Sequence, residues 1–176
     1  MQKKIKFPLA KVYSLLESGP VVMIASSLKG RNNVMTISWL TPLDFDPPLI
    51  GCVIGRQSWT SEIIKKTKEL TINIPTVEIA KKAVACGNVS GKKVDKFKKF
   101  GLTARPASKI KAPLIDECYL SIECKVVDTG MAKKYDMFVV KGVAAWIRPA
   151  KGLPKTIHHI GGPNFLIASR KKKLLP

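Results

Sequence analysis

The apolar runs of this chain are short, and they arrive in clusters. VVMIASSL, VMTISWL and PLIGCVIG follow one another with only turn-forming residues between them, and CYLSIECKVVDTG and YDMFVVKGVAAWIRP form a later pair. Gly, Pro and Asn bound these runs, as they bound strands. Helical patterns fill the gap between the clusters and do not alternate strictly with strands. That order argues for an antiparallel sheet or barrel and against a doubly wound parallel sheet. The first two runs, joined by KGRNN, read as a hairpin.

Between and around the strands, FPLAKVYSLLES places Leu9, Val12, Leu15 and Leu16 on one helical face, with Pro8 in the first turn and Gly19-Pro20 as the stop. TSEIIKKTKEL reads as a helix with Ile63 and Ile64 inward, and LTINIP as a short strand ended by Pro75. TVEIAKKAVA reads as a helix capped by Thr76. GKKVDKFKKFGL reads as a brief basic helix carrying Val94 and Phe97, and IHHIGGPNFLIASR is too glycine-broken to assign. The length suits one domain, 1–176, with a core at about 19–162 and a basic tail at 163–176. Apolar residues make up 45% of the chain, enough for a real core. No run reaches the ~18 uncharged apolar residues of a membrane span. The N-terminal MQKKIKFPLAKVYSLL lacks the pattern of a secretory leader. A cytoplasmic location with no membrane partner is the expectation.

Charge narrows the function. Thirty-one Lys and Arg against 12 Asp and Glu give +19. Such a surface suits nucleic acid or phosphorylated small molecules. The lysines are spread along the chain, without zinc-finger spacing or the glycine-aromatic signature of an RNA-recognition sheet. Nucleic acid is therefore not the expected partner; a basic nucleic-acid-binding barrel is kept as an alternative, marked by salt-sensitive binding. The RKKK run reads as a solvated tail. Cys52, Cys86, Cys118 and Cys124 have no zinc-site spacing. Cys118 and Cys124, read as one strand, would lie roughly 20 Å apart, too far for a disulfide. Buried free thiols are expected.

Three segments bear chemistry. In GCVIGRQSWTSEII a strand ends at Gly55, and Arg56, Ser58, Thr60 and Ser61 lead into a helix. A helix N-terminus with hydroxyls and a guanidinium suits a phosphate; plain capping by Ser58 or Thr60, with a solvated Arg56, is the competing reading. CGNVSGKKVDKF fails the phosphate-loop pattern, because only three residues separate Gly87 from Gly91 and Lys93 stands where Ser or Thr is required. It remains a glycine turn with Ser90 and two cations. In NVMTISWLTPLDFDPP, Thr36 and Ser38 are two apart on a strand and share one face, beside Met35 and Trp39. His158 and His159 are adjacent on the chain and point different ways, so they read as loop or interface residues. There is no GxSxG elbow, paired-carboxylate signature or Ser/His/Asp set. Hydroxyls, backbone donors beside glycines, and cations suit a cofactor that carries its own chemistry.

NVMTISW, DPPLIGCVIGRQSWTSEII, ELTINIP and CGNVSGKKVDKFKKFGLT, in that order, resemble the flavin reductase-like, FMN-binding split-barrel proteins, in particular the flavoredoxin branch with its archaeal ferric-reductase relatives. PLIDECYLSIECKVVD fits as well, and the resemblance runs from about Gly19 to Gly162. It implies a mainly β, six-stranded antiparallel Greek-key split barrel with flanking short helices. It implies a homodimer with FMN at or near the subunit interface. It also implies an NAD(P)H-dependent flavin oxidoreductase, in which hydride passes from NADH or NADPH to flavin N5 and electrons go on to ferric iron, free flavin or a partner protein. On this resemblance Thr36 and Ser38 would meet the flavin's polar edge or ribityl chain, with Met35 or Trp39 packing near the ring or the dimer contact; a core role for Trp39 is the alternative. The break at Asp46-Pro47-Pro48 would return LIGCVIG beside the first strand. Cys52, Val53, Ile54 and Gly55 would then give backbone donors to the ring. Arg56, Ser58 and Thr60 would hold the phosphate, and Cys86, Gly87, Ser90 and Lys93 match a second cofactor loop. The chemistry would sit on the flavin, with no catalytic side chain and no metal. An FMN-binding electron carrier that does not oxidise NAD(P)H directly is the second reading. The related pyridoxamine-phosphate oxidases share the barrel, but CGNVSGKKVDKF favours the flavin reductase branch. No dinucleotide fingerprint separates NADH from NADPH.

Overall fold

Antiparallel pairing organises residues 2–173, the part described by a computed structural model. The strands are β1 (Ile5–Lys6), β2 (Val22–Leu28), β3 (Arg31–Ile37), β4 (Leu40–Phe45), β5 (Pro48–Val53), β6 (Glu69–Ile74), β7 (Ala104–Arg105), β8 (Leu114–Ile115), β9 (Leu120–Asp128), β10 (Met137–Ile147), β11 (Thr156–His159) and β12 (Phe165–Ala168). The helices are α1 (Tyr13–Leu16), α2 (Trp59–Thr67), α3 (Ala80–Gly87), α4 (Lys96–Phe100) and α5 (Ala132–Tyr135), with 3-10 turns at Leu9–Lys11 and Val77–Ile79.

The main sheet runs β3-β2-β6-β9-β10-β5-β4, with β1 on the flank of β10. Its two outer strands, β3 and β4, are consecutive in the chain, and only Ser38 and Trp39 separate them. A sheet whose opposite edges are joined by two residues must curl. Register shifts at Val139/Val140 and Gly142/Ala144 help β10 to bend. A Cβ at Gly142 would come within 3.2 Å of Pro48 Cγ and 3.4 Å of Ile122 Cγ2, so glycine admits the close packing there. The result is the mainly β split barrel expected, with more strands in the sheet than six.

Two cores explain the apolar runs. One cluster includes Val22, Ile24, Ile50, Cys52, Ile72, Ile122, Phe138 and Val140. The other unites Met23, Ala25, Val34, Ala83, Cys86 and Phe97, where α3 and α4 pack on the sheet. Successive residues of β2 enter different clusters, so both faces are buried and the run shows no polar alternation. No helix among the described residues is long and apolar enough to cross a membrane.

Several details differ from the sequence expectation. VMTISWL is not one strand: β3 stops at Ile37, and Leu40 opens β4, which contains Pro42. An outer strand tolerates proline because it needs no ladder on its free side. LIGCVIG does not return beside the first strand, because β5 pairs with β10 and β4 instead. The N-terminal helix is split into a 3-10 turn and α1, with Val12 and Leu16 buried. Thr76 makes no side-chain cap, and the segment after it begins as a 3-10 turn. α4 starts late, at Lys96, where the Asp95 carboxylate accepts from Lys98 N at 3.1 Å. The expected tail contributes Phe165–Ala168 to a hairpin with β11, while Arg170–Lys173 is exposed and its last residues, 174–176, lie outside the described part.

The N-terminal arm is pinned by a buried cation. Lys4 Nζ donates to Ile115 O at 2.7 Å and Ser121 Oγ at 2.6 Å. Burial pulls the Lys4 amine down from 10.5 to about 8. Between those values the unfolded chain binds the proton that the folded chain has lost, so stability rises as pH climbs from about 8 toward 10.5. Urea unfolding of the wild type and Lys4→Met should therefore diverge across that window, the wild type gaining roughly 3 kcal/mol on the variant. A difference that stays flat with pH would show that Lys4 is not the group responsible.

Candidate functional site

Where the two sheet edges meet, a cavity of about 380 Å³ opens. Its wall takes Met35, Thr36 and Ile37 from β3, Ser38 and Trp39 from the crossing, and Val53 and Gly55 from the end of β5. The C-terminal end of α3 adds Val84, Gly87 and Asn88. The β11–β12 hairpin closes the remaining side with His159, Gly162 and Phe165. That hairpin is anchored by buried Ile157, whose carbonyl accepts from Val21 N at 2.8 Å.

The cavity is polar along its backbone and aromatic at its rim. The Trp39 side chain is 71% exposed, which removes the core role considered for it. His159 and Phe165 are cross-strand partners with ring centroids 5.2 Å apart. A Cβ built on Gly55 or Gly162 would meet nothing within 4 Å, so both glycines face open space. Bare main chain of this kind lets a flat ligand approach closely. The Gly55 N–H enters no backbone hydrogen bond among the described residues.

Thus Met35, Thr36, Ser38, Trp39, Val53, Gly55 and Gly87 are brought together as expected. The remaining expected residues are placed elsewhere. Cys52 and Ile54 are fully buried in the barrel, and Cys86 in the core beneath α3. The ring donors expected at Val53 and Ile54 are already spent, on Trp39 O and Asp136 O, each at 2.9 Å. Cys52 is held in register between Leu40 and Phe138.

The side chains expected at the phosphate each have a partner within the chain. Ser58 Oγ caps α2 by accepting from Ser61 N at 3.1 Å. Thr60 is buried and accepts from Asn33 Nδ2 at 2.7 Å. Arg56 points another way and donates to Asp136 Oδ1 at 2.9 Å. The capping reading thus describes Ser58, and the three side chains have three unrelated partners. Thr36 spends its proton on Ala83 O at 2.5 Å, leaving only acceptor capacity toward the cavity. Exposed Ser90 and Lys93 lie on the loop after α3, where Lys93 N donates to Ser90 O at 3.2 Å. That loop is tethered by Arg31, whose guanidinium donates to Gly91 O at 2.7 Å and stacks 4.4 Å from the Trp59 ring.

Sequence reading missed Asn88, His159, Gly162 and Phe165. The alternation in TIHH and FLIA spans only four residues per strand, too little to signal a hairpin across two glycines. The histidines turn to different partners: His158 Nε2 lies 2.9 Å from Thr156 Oγ1, and His159 Nε2 lies 3.0 Å from Gly162 O.

None of the four thiols faces the cavity, and all are free and buried. Burial pushes Cys52 and Cys118 up to about 12 and Cys86 to about 11, and lifts Cys124 well above its ordinary value. Thiolate is the reactive form. A native sample at pH 8 should therefore be silent to a chromogenic disulfide reagent, and unfolding should expose four reactive thiols. Rapid labelling of Cys52 in the folded state would contradict this geometry.

Comparison with known proteins gives a consistent picture. The profile of the "Flavin reductase like domain" family matches residues 15–162. An uncharacterized protein of Archaeoglobus fulgidus is 38% identical over 109 residues, 62% of each chain, so under two thirds of that relative is spanned. An FMN-binding domain of a flavin reductases-like enzyme from Shewanella baltica superposes with a TM-score of 0.90 over 98% of both chains, at 24% identity. A flavoredoxin from Methanosarcina acetivorans superposes with a TM-score of 0.74 at 26% identity, over 88% of this chain and 87% of its own.

Proposed function

The chain belongs to the flavin reductase like domain family, and from that premise we propose that it binds FMN in the cavity beside Trp39 and acts as an NAD(P)H-dependent flavin oxidoreductase. The observation that carries the reading is the meeting of bare glycine backbone and an exposed indole at one cavity. Bound FMN would supply the redox chemistry, accepting hydride from NADH or NADPH and releasing electrons to an acceptor such as ferric iron, free flavin or a partner protein. The chain's own residues would bind and orient. The Gly55 N–H is the free donor at the end of β5. Thr36 and Ser38 offer hydroxyl oxygens, and Asn88 an amide. Trp39 and Phe165 give apolar surface for a planar ring. Exposed Ser90 and Lys93, on the loop after α3, offer a hydroxyl and a cation for the phosphate.

A homodimer accompanies this reading. Trp39, Leu43 and Phe45 are exposed on and beside the outer strand β4, and Trp39 also belongs to the cavity. A second copy covering this apolar edge would bury it and shield the bound ring from water. Four unpaired thiols suit a reducing compartment, in keeping with a cytoplasmic location.

Purified protein should be yellow or become so with FMN, and NADH or NADPH should bleach it without oxygen. Gly55→Val should fold normally, since its Cβ meets open space, yet bind FMN at least ten-fold more weakly. Colourless protein that ignores FMN would end the proposal. FMN binding with no bleaching would favour the electron-carrier reading instead. Sedimentation should give a two-chain mass for the wild type and a one-chain mass for Phe45→Glu; a wild-type monomer at high concentration would remove the dimer from the account.

A further inference from the structure

A second concavity, about 310 Å³, opens next to the first. Gly55 lines the flavin cavity and Arg56, one residue on, lines this one. Adjacent Cα atoms are about 3.8 Å apart, so the two sites share a single turn of chain. Lys65 and Lys68 approach from the end of α2, Lys133 from α5, and Thr129 adds a hydroxyl. Phe138 and Ala132 form the floor. Four cations thus line one small hollow, and the carboxylate in contact with them is Asp136, on Arg56 at 2.9 Å. Lys66 and Lys134 are exposed on the same helices. Gathering like charges raises the energy of the fold unless an anion sits among them. The hollow is too small for a protein surface and of a size for a phosphoryl group with its sugar.

We propose that this basic pocket is the subsite for the 2′-phosphate of a nicotinamide dinucleotide, so that the protein prefers NADPH to NADH. The inference deepens the flavin reductase reading and rests on it for its biological sense. A 2′-phosphate carries close to two negative charges near neutral pH and offers three acceptor oxygens. Lys65 and Lys133 supply mobile ammonium donors, and Arg56 a planar one already aimed by Asp136. NADH would leave these cations unmatched.

Calorimetry with adenosine 2′,5′-bisphosphate and with 5′-AMP tests the pocket without nicotinamide or flavin. The bisphosphate should bind at least ten-fold more tightly to the wild type, and the difference should shrink with added salt. In Lys65→Ala/Lys133→Ala the difference should fall below about two-fold, consistent with the loss of charge-assisted contacts. FMN and riboflavin titrations of the same proteins separate the possible sources of phosphate. Unchanged FMN affinity in the double variant supports the proposal. Equal binding of the two adenosine ligands to a wild type that binds FMN would overturn it and leave the flavin site intact. Weakened FMN with unchanged riboflavin would assign the pocket to the flavin's own phosphate and also overturn it. Failure of FMN to bind the wild type would strike the flavin reading, while the bisphosphate comparison would still decide the pocket.

Discussion

β10 holds the fold together. Its eleven residues pair with β9 along one side and with β5 and then β1 along the other. Among the described residues, no other strand brings such distant parts of the chain into one ladder. Met137 sits opposite Val53, which fixes where β5 ends and therefore where Gly55 and Arg56 begin. The Asp136 carbonyl, one residue before the strand, takes the Ile54 N–H. The Asp136 side chain takes Arg56. Both concavities at the end of β5 are thus set by the register of one antiparallel pair, and a slip of one residue would reverse every face.

The buried polar groups serve the barrel, not the cavity. Glu123 is fully buried and accepts from Ser108 N at 2.8 Å, Lys109 N at 2.7 Å and Trp146 Nε1 at 2.7 Å. A carboxylate so satisfied fastens the loop after β7 to the sheet. Asn73 donates to Met23 O and accepts from Ile115 N, each at 3.1 Å, joining β2 and β8 through β6. Removing one partner from such a network would strand a desolvated group, which is costlier than never having it. The acids and amides inside this chain are therefore poor candidates for chemistry. The site is left to main chain, rings and surface cations.

The class of fold was legible because strand runs clustered and because β2, β9 and β10 are long. What could not be read was how the outer strands lie. VMTISWL reads as one strand and the residues up to Asp46 carry no assignment, so β4, which tolerates Pro42 as an outer strand, goes unseen and β5 is given the wrong neighbour. Four of the seven expected residues that line the cavity follow from position alone: Met35, Thr36, Ser38 and Trp39 lie at the crossing between the two sheet edges. For Arg56, Ser58 and Thr60 the limit is a different one. Sequence spacing reports that polar side chains are near one another, but not that Ser61 N, Asn33 and Asp136 compete for them. Phe165 and His159 were beyond reach, since they meet only when a hairpin with two-glycine spacing folds back.

The cavity is a geometric consequence of closure. A chain that links opposite edges of a curled sheet through two residues cannot fill the gap with ladder hydrogen bonds, because Ser38 and Trp39 are in neither strand. Something must cover the split, and here the covering pieces are peripheral: the end of α3 and the β11–β12 hairpin. The hairpin stands outside the main sheet, anchored through Ile157 and the Thr76–Thr156 bridge, while α3 is held by Ala83 and Cys86 in the second core. The barrel thus dictates that a flat, partly polar hollow exists, and the hairpin and α3 decide what it accepts. The positive charge follows the same division. Lys65 and Lys68 at the end of α2 and Lys133 on the short α5 converge with Arg56 just beyond the end of β5.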